Sequence, residues 1–320
     1  MFCSNNPTLD LMLASAVPVL DPASKDAAAI RSLFGVVFLI CLAILIVVVW
    51  LICKSLLDSR ARGSELPPQD FGRRRSEITW AVPPVLIVLT FSLLSAKLIV
   101  SDVATAGDPD IVVIGHQWWW EIRYPGSSAV TANEIHIPID RRLRARVESA
   151  DVIHSFWVPQ LGPKMDMIRG HPNFVWLQAD RAGVYEGACS EFCGDQHAWM
   201  RFLVIAEPEP QYKRWLDSQA RPTEGAANDI AQAGRNLFFA QTCANCHAIA
   251  GTSAFATAGP DLTHLAGRRL LAAGLLDNTP QNLARWLRNP QQIKPGCQMP
   301  DFNLNEGQVT ELVAYLEGLR

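Results

Sequence analysis

The pattern of apolar and polar residues divides the chain into three kinds of region. Two runs, residues 33–53 and 78–100, are almost free of charge, and each is close to the ~20 residues that a helix needs to cross a bilayer. A buried core helix is the alternative for each run. Because the two runs adjoin and the rest of the chain is more polar, we predict a two-helix transmembrane hairpin with helices at about 31–57 and 77–101.

Short apolar runs separated by turn residues follow this membrane region. Residues 143–148 alternate apolar and polar side chains, which is the period of a half-buried strand. Further β-rich runs lie at 111–124, 152–158, 174–177, 184–188 and 202–205. Short strands at this spacing predict an all-β sandwich or barrel.

Helical periodicity returns towards the C-terminus. Residues 230–240 and 306–319 carry apolar residues at helical spacing, and a shorter helical pattern surrounds Tyr212 to Ser218. Gly, Pro and Ala in residues 222–228 are typical of a linker. The predicted organisation is an N-terminal extramembrane segment (1–29), the transmembrane hairpin (30–107), a β domain (108–207), a linker (208–227) and a small helical domain (228–320).

Charge predicts the orientation of this arrangement. The loop between the two apolar runs contains a basic cluster, formed by Lys54, Arg60, Arg62, Arg73, Arg74 and Arg75. The positive-inside rule places that loop in the cytoplasm, so both termini and the β domain face outward. The first 29 residues lack a basic start, and their apolar stretch is interrupted by Asp10 and Pro18, so we expect a poor signal peptide. The net charge of −3 indicates little about partners, and we expect no nucleic acid.

Candidate metal chemistry is concentrated in one loop. Cys189, Cys193, His197 and Met200 have the spacing Cys-x3-Cys-x3-His-x2-Met, and soft sulfur with imidazole selects copper over hard cations. Structural zinc usually requires a second Cys pair, and none lies near this one. A Cys189–Cys193 disulfide is a further alternative, but it leaves the other two side chains without a role. His154, which opens an aromatic strand-like run, is the best candidate for a second imidazole.

A second motif, Cys243-Ala244-Asn245-Cys246-His247, lies in the helical region. Cys-x2-Cys-His is typical of c-type haem attachment, in which two thiols bind the vinyl groups and the adjacent His binds the iron. A thioredoxin-like pair is the alternative, but it requires a βαβ context, whereas the flanks here are helical. The sixth ligand should be Met or His. Met299 is the candidate, and His264 is the competitor that we expect on the surface.

The segments at His154 and the copper loop, with Leu161-Gly162-Pro163-Lys164-Met165-Asp166 between them, resemble subunit II of the haem-copper cytochrome c oxidases. This resemblance implies a cupredoxin-like Greek-key sandwich with a dinuclear copper centre, CuA, followed by a class I cytochrome c domain. It implies that both loop cysteines bridge the coppers and that His154 and His197 are terminal ligands. Met200 is then a weak ligand, and Glu191 binds through its backbone carbonyl.

The resemblance also implies roles outside the copper ligands. The Glu191 side chain should help to bind a Mg²⁺ shared with the catalytic subunit, and Trp118 should be the electron-entry residue. Glu77, at the cytoplasmic mouth of the second helix, should open a proton-uptake channel of that subunit. An ordinary interfacial carboxylate, stabilised by the helix dipole, explains Glu77 equally well. Met299 precedes a Pro as the axial Met of such cytochromes does, and the Pro260 carbonyl should accept the N–H of the axial His.

The chain departs from the family in one loop. Where the family has Asp-x-Ile-Pro-Gly-Arg, this chain has Asp166-Met167-Ile168-Arg169-Gly170-His171. Losing the Pro frees a backbone φ, which leaves open the local loop path and its contact with the catalytic subunit. The histidines and cysteines without an assigned role are His116, His136, His171, Cys3 and Cys297.

We therefore expect an electron-transfer subunit of a terminal oxidase, of oxidoreductase and translocase class. Electrons would enter at haem c, pass to CuA and continue to a catalytic subunit that reduces oxygen and translocates protons. The expected partners are catalytic subunit I, the other oxidase subunits, membrane lipid and an upstream donor, either cytochrome c or a quinol-oxidising complex. The expected location is the bacterial inner membrane, multi-pass, with both metal domains on the periplasmic side. The alternatives are the CuA subunit of a nitric oxide reductase and a membrane-anchored copper chaperone.

Overall fold

The computed structural model describes residues 18–62, 72–102, 104, 107–223 and 226–320. Cys3 and most of the predicted N-terminal segment lie outside the described residues. The chain divides into two compact units, one of residues 28–103 and one of residues 1–27 with 104–320. The first contains the apolar helices, and the second contains both candidate metal domains.

The two apolar runs form long helices, α1 (Lys25–Arg62) and α2 (Arg74–Asp102). Both are long and apolar enough to cross a membrane, and their apolar side chains are largely exposed. The helices extend beyond the predicted 31–57 and 77–101 because polar residues continue them. Ser24 accepts a hydrogen bond from the Ala27 amide at the start of α1, and a Lys54–Asp58 ion pair of 2.9 Å supports its last turns.

The β domain is a sandwich of two five-stranded sheets. In chain order its strands are β1 (Ile111–His116), β2 (Trp119–Arg123), β3 (Val130–Ala132), β4 (Glu134–Pro138), β5 (Leu143–Ser149), β6 (His154–Trp157), β7 (Met165–Met167), β8 (Asn173–Leu177), β9 (Gly183–Cys189) and β10 (Arg201–Glu207). One sheet has the order β3-β2-β1-β5-β8, and the other has the order β4-β10-β9-β6-β7. Two of the pairs, β1–β5 and β4–β10, are parallel.

The predicted sandwich is confirmed, and alternation explains why most of its strands could be found. In β5, Leu143, Ala145 and Val147 are fully buried, while the Arg residues between them are partly exposed. Three strands were missed. β3 and β7 have only three residues each, and β4 is buried along its whole length, polar Glu134 and His136 included, so it shows no alternation.

The C-terminal region is helical, as predicted. Its elements are α3 (Glu209–Gln219), α4 (Asp229–Ala240), a two-stranded hairpin of β11 (Leu270–Leu271) and β12 (Leu276–Asp277), α5 (Pro280–Arg288), α6 (Pro290–Ile293) and α7 (Glu306–Leu316). α3 belongs structurally to the sandwich, because Trp215 stacks on the His136 ring at 3.8 Å between centroids. α4 and α7 pack closely enough that a Cβ on Gly234 would lie 1.9 Å from the Glu311 carbonyl oxygen. Gly234 is therefore required by the helix crossing.

Candidate metal centres

The copper loop connects two paired strands. Cys189 ends β9, Arg201 begins β10, and the Cys189 amide donates to the Met200 carbonyl at 3.1 Å, which closes the loop. β6 pairs with β9 on the other side, with Phe156 opposite Cys189. This register brings His154 beside a loop that begins 35 residues later in the chain.

The structure brings the six expected copper ligands together. The two cysteine Sγ atoms are 3.8 Å apart, and Cys193 Sγ lies 3.6 Å from His197 Nδ1 and 3.8 Å from Met200 Sδ. Cys189 Sγ lies 3.9 Å from His154 Nδ1 and 3.2 Å from the Glu191 carbonyl oxygen. Ligand atoms of the two cysteines and His154 all lie within 4.8 Å of one another.

This arrangement fits copper. Two thiolates that bind one ion at about 2.3 Å cannot lie more than about 4.6 Å apart, and the observed separation of 3.8 Å satisfies that limit. Both cysteines are free rather than joined in a disulfide. Two thiols, two imidazoles, a thioether and one carbonyl form a soft donor set, which suits copper better than a hard cation.

Hydrogen bonding prepares the site for ionisation. The hydrogen bond shared with Cys193 holds the pKa of Cys189 well below its usual value, and the same contact raises the pKa of Cys193. Burial is the largest single influence on His154 and opposes its charged form, but the hydrogen bonds and charges of Asp151 and Cys189 together outweigh it and raise the His154 pKa. The thiolate form of Cys189 is therefore favoured, and it lies next to the imidazole of His154, which is hydrogen-bonded to Asp151.

Asp151 is a site residue that the sequence reasoning missed. Its carboxylate lies 2.8 Å from His154 Nε2 and accepts the Gln117 backbone N–H at 2.7 Å. Such a contact orients the ring, so that Nδ1 faces Cys189. The signal was an acid three residues before the expected ligand.

The candidate haem site is a cavity of about 230 Å³. Cys243, Cys246, His247 and Met299 line it, together with many apolar side chains. His247 Nδ1 lies 2.7 Å from the Pro260 carbonyl oxygen, which is the contact expected for an axial ligand. Burial lowers the pKa of His247, so its ring is neutral and able to bind iron.

Two further observations fit a haem in this cavity. A Cβ on Gly259 would lie 2.6 Å from His247 Cε1, so the ring requires glycine there. Arg268, also in the cavity wall, is buried, and its Nε has no partner among the described residues. A guanidinium in that position suits a ligand that carries carboxylates.

His264, the competing ligand, is not on the surface, and that expectation is wrong. Its side chain is 4% exposed, and its Nε2 lies 3.0 Å from the Arg221 carbonyl oxygen. This contact ties the segment that precedes α4 to the C-terminal domain. His264 does not line the cavity.

Trp118 contacts both candidate sites. Its indole N–H donates to the Cys193 carbonyl at 2.9 Å, and its side chain lines the haem cavity. Gln117 donates to the same carbonyl at 2.8 Å. The two tryptophans that follow it, Trp119 and Trp120, are buried.

Two further predicted carboxylates have exposed side chains. The Glu191 side chain is exposed on the copper loop, and Glu77 is exposed in the first turn of α2. Among the histidines without an assigned role, His116 and His136 each have a carboxylate partner, Glu121 at 3.0 Å and Glu207 at 3.1 Å.

Comparison with known proteins gives matches along nearly the whole chain. Residues 14–98 match the family model of the cytochrome c oxidase subunit II transmembrane domain, and residues 127–207 match that of its periplasmic domain. Residues 231–320 match the cytochrome c family model. With α1 and α2, these matches indicate a membrane-anchored protein.

Individual relatives agree with the family models. Cytochrome c oxidase subunit 2 of Alkalihalophilus pseudofirmus is 33% identical over 315 residues, which is 94% of this chain and 90% of the relative. That of Bacillus subtilis is 32% identical, covering 82% of this chain and 79% of the relative. The crystal structure of the periplasmic domain of subunit II from Bradyrhizobium japonicum is 30% identical and covers 36% of this chain and 95% of that chain, with a TM-score of 0.34.

Proposed function

Because the chain belongs to the cytochrome c oxidase subunit II family, we propose that it is the electron-transfer subunit of a terminal oxidase with its own cytochrome c domain. Electrons enter at a covalent haem c, pass to a dinuclear CuA centre and continue to a catalytic subunit that reduces oxygen to water and translocates protons. The observation that carries this proposal is the position of Trp118. This one side chain lines the haem cavity and is hydrogen-bonded to the carbonyl of a copper-loop cysteine.

The residues of this chain hold the two groups and do no bond-making chemistry. Cys243 and Cys246 would attach the haem, and His247 and Met299 would bind its iron. The six copper ligands are those of the loop and His154, with Asp151 orienting the His154 ring. With both thiolates shared by the copper centre, the change of charge on electron transfer would be spread out, and the surroundings would reorganise little.

The proposed setting is the bacterial inner membrane, with α1 and α2 both crossing it and the metal domains on the periplasmic side. Subunit I and the other oxidase subunits are the partners there, and cytochrome c or a quinol-oxidising complex is the donor. A copper chaperone needs no haem cavity, and a nitric oxide reductase would differ only in its terminal acceptor.

Metal analysis and spectroscopy of the full-length chain test this function. We expect two coppers and one covalent haem per chain, and an EPR signal of one unpaired electron shared by two copper nuclei. A single mononuclear copper, or a chain without haem, would contradict the proposal. Oxygen or nitric oxide consumption by the complex with its catalytic subunit then identifies the acceptor.

A first prediction concerns the Glu191 side chain, which is exposed and left free by the backbone role. We propose that it binds a Mg²⁺ shared with the catalytic subunit, since carboxylate oxygen suits that ion. In the purified oxidase, Glu191→Ala should lose bound Mg²⁺ or Mn²⁺ and keep its copper, while Glu186→Ala, at an exposed acid on β9, should keep both. Full metal content in Glu191→Ala would show that this role is wrong.

A second prediction concerns Glu77, a carboxylate in the first turn of α2. We propose that it admits protons to the catalytic subunit. Glu77→Ala should slow oxygen consumption by at least about tenfold, as loss of a proton-transferring group generally does, and leave both metal spectra unchanged. Glu77→Asp, which keeps an acid, should restore most of the rate. Unchanged turnover in the Ala variant would leave Glu77 as an ordinary helix N-terminal charge.

A further inference from the structure

The C-terminal domain lies directly against the sandwich, beside the copper loop. The Arg201 amide at the start of β10 donates to the Ala273 carbonyl at 3.1 Å, and the Gln196 side chain donates to the Pro295 carbonyl. Trp119 and Ala132 of the sandwich form a small buried cluster with Ala273. The two domains therefore share a packed, hydrogen-bonded boundary.

A lysine of the C-terminal domain is buried at this boundary. Lys294 is 3% exposed, and its Nζ donates to the carbonyls of Trp118 at 3.0 Å, Trp199 at 3.2 Å and Ala272 at 3.3 Å. An ammonium has three N–H donors, so each has a carbonyl partner. Two of these partners belong to the sandwich: Trp199 lies in the copper loop, and the Trp118 indole donates to that loop at the Cys193 carbonyl. Burial lowers the pKa of Lys294 to about 8, which reflects how completely water is excluded.

A carboxylate of the sandwich is buried at the same boundary and is hydrogen-bonded to the C-terminal domain. Glu134 in β4 is 2% exposed, and its Oε1 accepts the backbone N–H groups of Arg269 at 2.5 Å and Leu270 at 3.1 Å. Those amides begin the hairpin of the C-terminal domain. Burial raises the pKa of Glu134, and the hydrogen bonds from the two amides oppose that rise.

We propose that Lys294 and Glu134 are positioning residues that fix the register in which the haem domain docks on the copper domain. Each domain supplies one buried charge, and the two charges are opposite in sign. Glu134 accepts two amides of the other domain, and Lys294 donates to two carbonyls of the other domain and to one, that of Ala272, in its own. In a shifted register both groups would stay buried but lose these partners across the boundary, which is strongly unfavourable. The pair therefore selects one geometry, whatever its net contribution to the strength of docking.

The selected register is the one that the proposed electron path requires, and in this respect the inference rests on the proposed function. Lys294 precedes the expected haem ligand Met299 by five residues and holds the carbonyl of Trp118 itself. The same contact thus fixes the Met299 loop relative to the residue that lines the haem cavity.

Amide hydrogen exchange on the full-length chain tests the proposal, because backbone N–H groups form hydrogen bonds across the boundary at two separate places. Lys294→Met should accelerate exchange at Arg269 and Leu270, which the Glu134 contact holds. Glu134→Ala should accelerate exchange at Arg201, which donates to Ala273. We expect the exchange rate to rise roughly tenfold or more in each case, which is the usual consequence of losing a hydrogen bond to a charged group. Lys213→Met, at an exposed lysine of α3, is the matched control and should change neither.

Both metal spectra are recorded with each variant, and haem-to-copper transfer should slow in Lys294→Met and Glu134→Ala. Glu134→Gln, which keeps an acceptor oxygen, should lie closer to wild type than Glu134→Ala. Unchanged exchange at the distant amides, with both spectra retained, would overturn the proposal. If Lys294→Met loses its haem, the Glu134 variants in the other domain decide. A wild-type chain without copper or haem would contradict the proposed function, while the exchange comparison would still decide the docking contacts.

Discussion

Cys193→Ser should abolish the dinuclear copper signal. Cys193 Sγ lies close to three of the other expected ligand atoms. It is 3.6 Å from His197 Nδ1 and 3.8 Å from both Cys189 Sγ and Met200 Sδ. A serine hydroxyl is hard and not ionised near neutral pH, so it cannot replace a bridging thiolate. Losing even an outer contact of a metal ligand usually costs about 10- to 100-fold in affinity, and losing a shared ligand should cost more.

Metal content and EPR of the full-length variant measure this effect. Cys41→Ser, the same substitution within α1, should keep the wild-type signal. Met200→Leu should shift the potential of the centre more than its occupancy, because a thioether is the weakest of the expected ligands. The haem spectrum should persist in all three variants, because the haem ligands lie in another domain. A wild-type copper signal in Cys193→Ser would exclude Cys193 as a bridging ligand.

Local motifs allowed much of the two candidate sites to be predicted from sequence. The copper loop carries its thiols, one imidazole and the thioether within twelve residues, and two paired strands close it, so its spacing alone indicates a metal. The Cys-x2-Cys-His motif is equally local. The family resemblance, which the comparisons confirm, then implied that His154 is a terminal copper ligand and that the two metal domains are of the CuA and cytochrome c kinds.

Residues whose partners are distant in the chain could not be found in this way. Glu134 appears in the sequence as an ordinary acid outside the predicted β runs, and its partners lie 135 and 136 residues away. The Lys294 side chain reaches carbonyls 95 and 176 residues away. His264 was expected at the surface, and only the fold shows that it is buried against the Arg221 carbonyl, 43 residues earlier in the chain. Sequence patterns indicate which residues are chemically able to act, whereas these contacts depend on how two domains meet.

The second large effect is expected at Trp118, if the haem domain is the immediate donor to copper. The candidate centres share this side chain, which lines the haem cavity and donates to the Cys193 carbonyl at 2.9 Å. Trp118→Ala should slow electron transfer from haem to copper by roughly 10- to 100-fold. Small displacements of reacting groups that a protein positions slow their reaction on this scale. The copper site should survive, since Gln117 still donates to the same carbonyl and one hydrogen bond contributes only about 1 kcal/mol.

Rapid kinetics on the intact complex with the haem selectively reduced measures this rate. Trp176→Ala is the matched control, because Trp176 is also partly buried but lies on β8, against Arg142 and Arg144, away from both candidate sites. External cytochrome c should reduce the haem before the copper, in the variant as in the wild type, because the C-terminal domain covers the face around Trp118. Two outcomes would contradict this route. An unchanged transfer rate in Trp118→Ala would show that electrons do not pass through Trp118. Reduction of the copper before the haem would show that the haem domain is not where electrons enter.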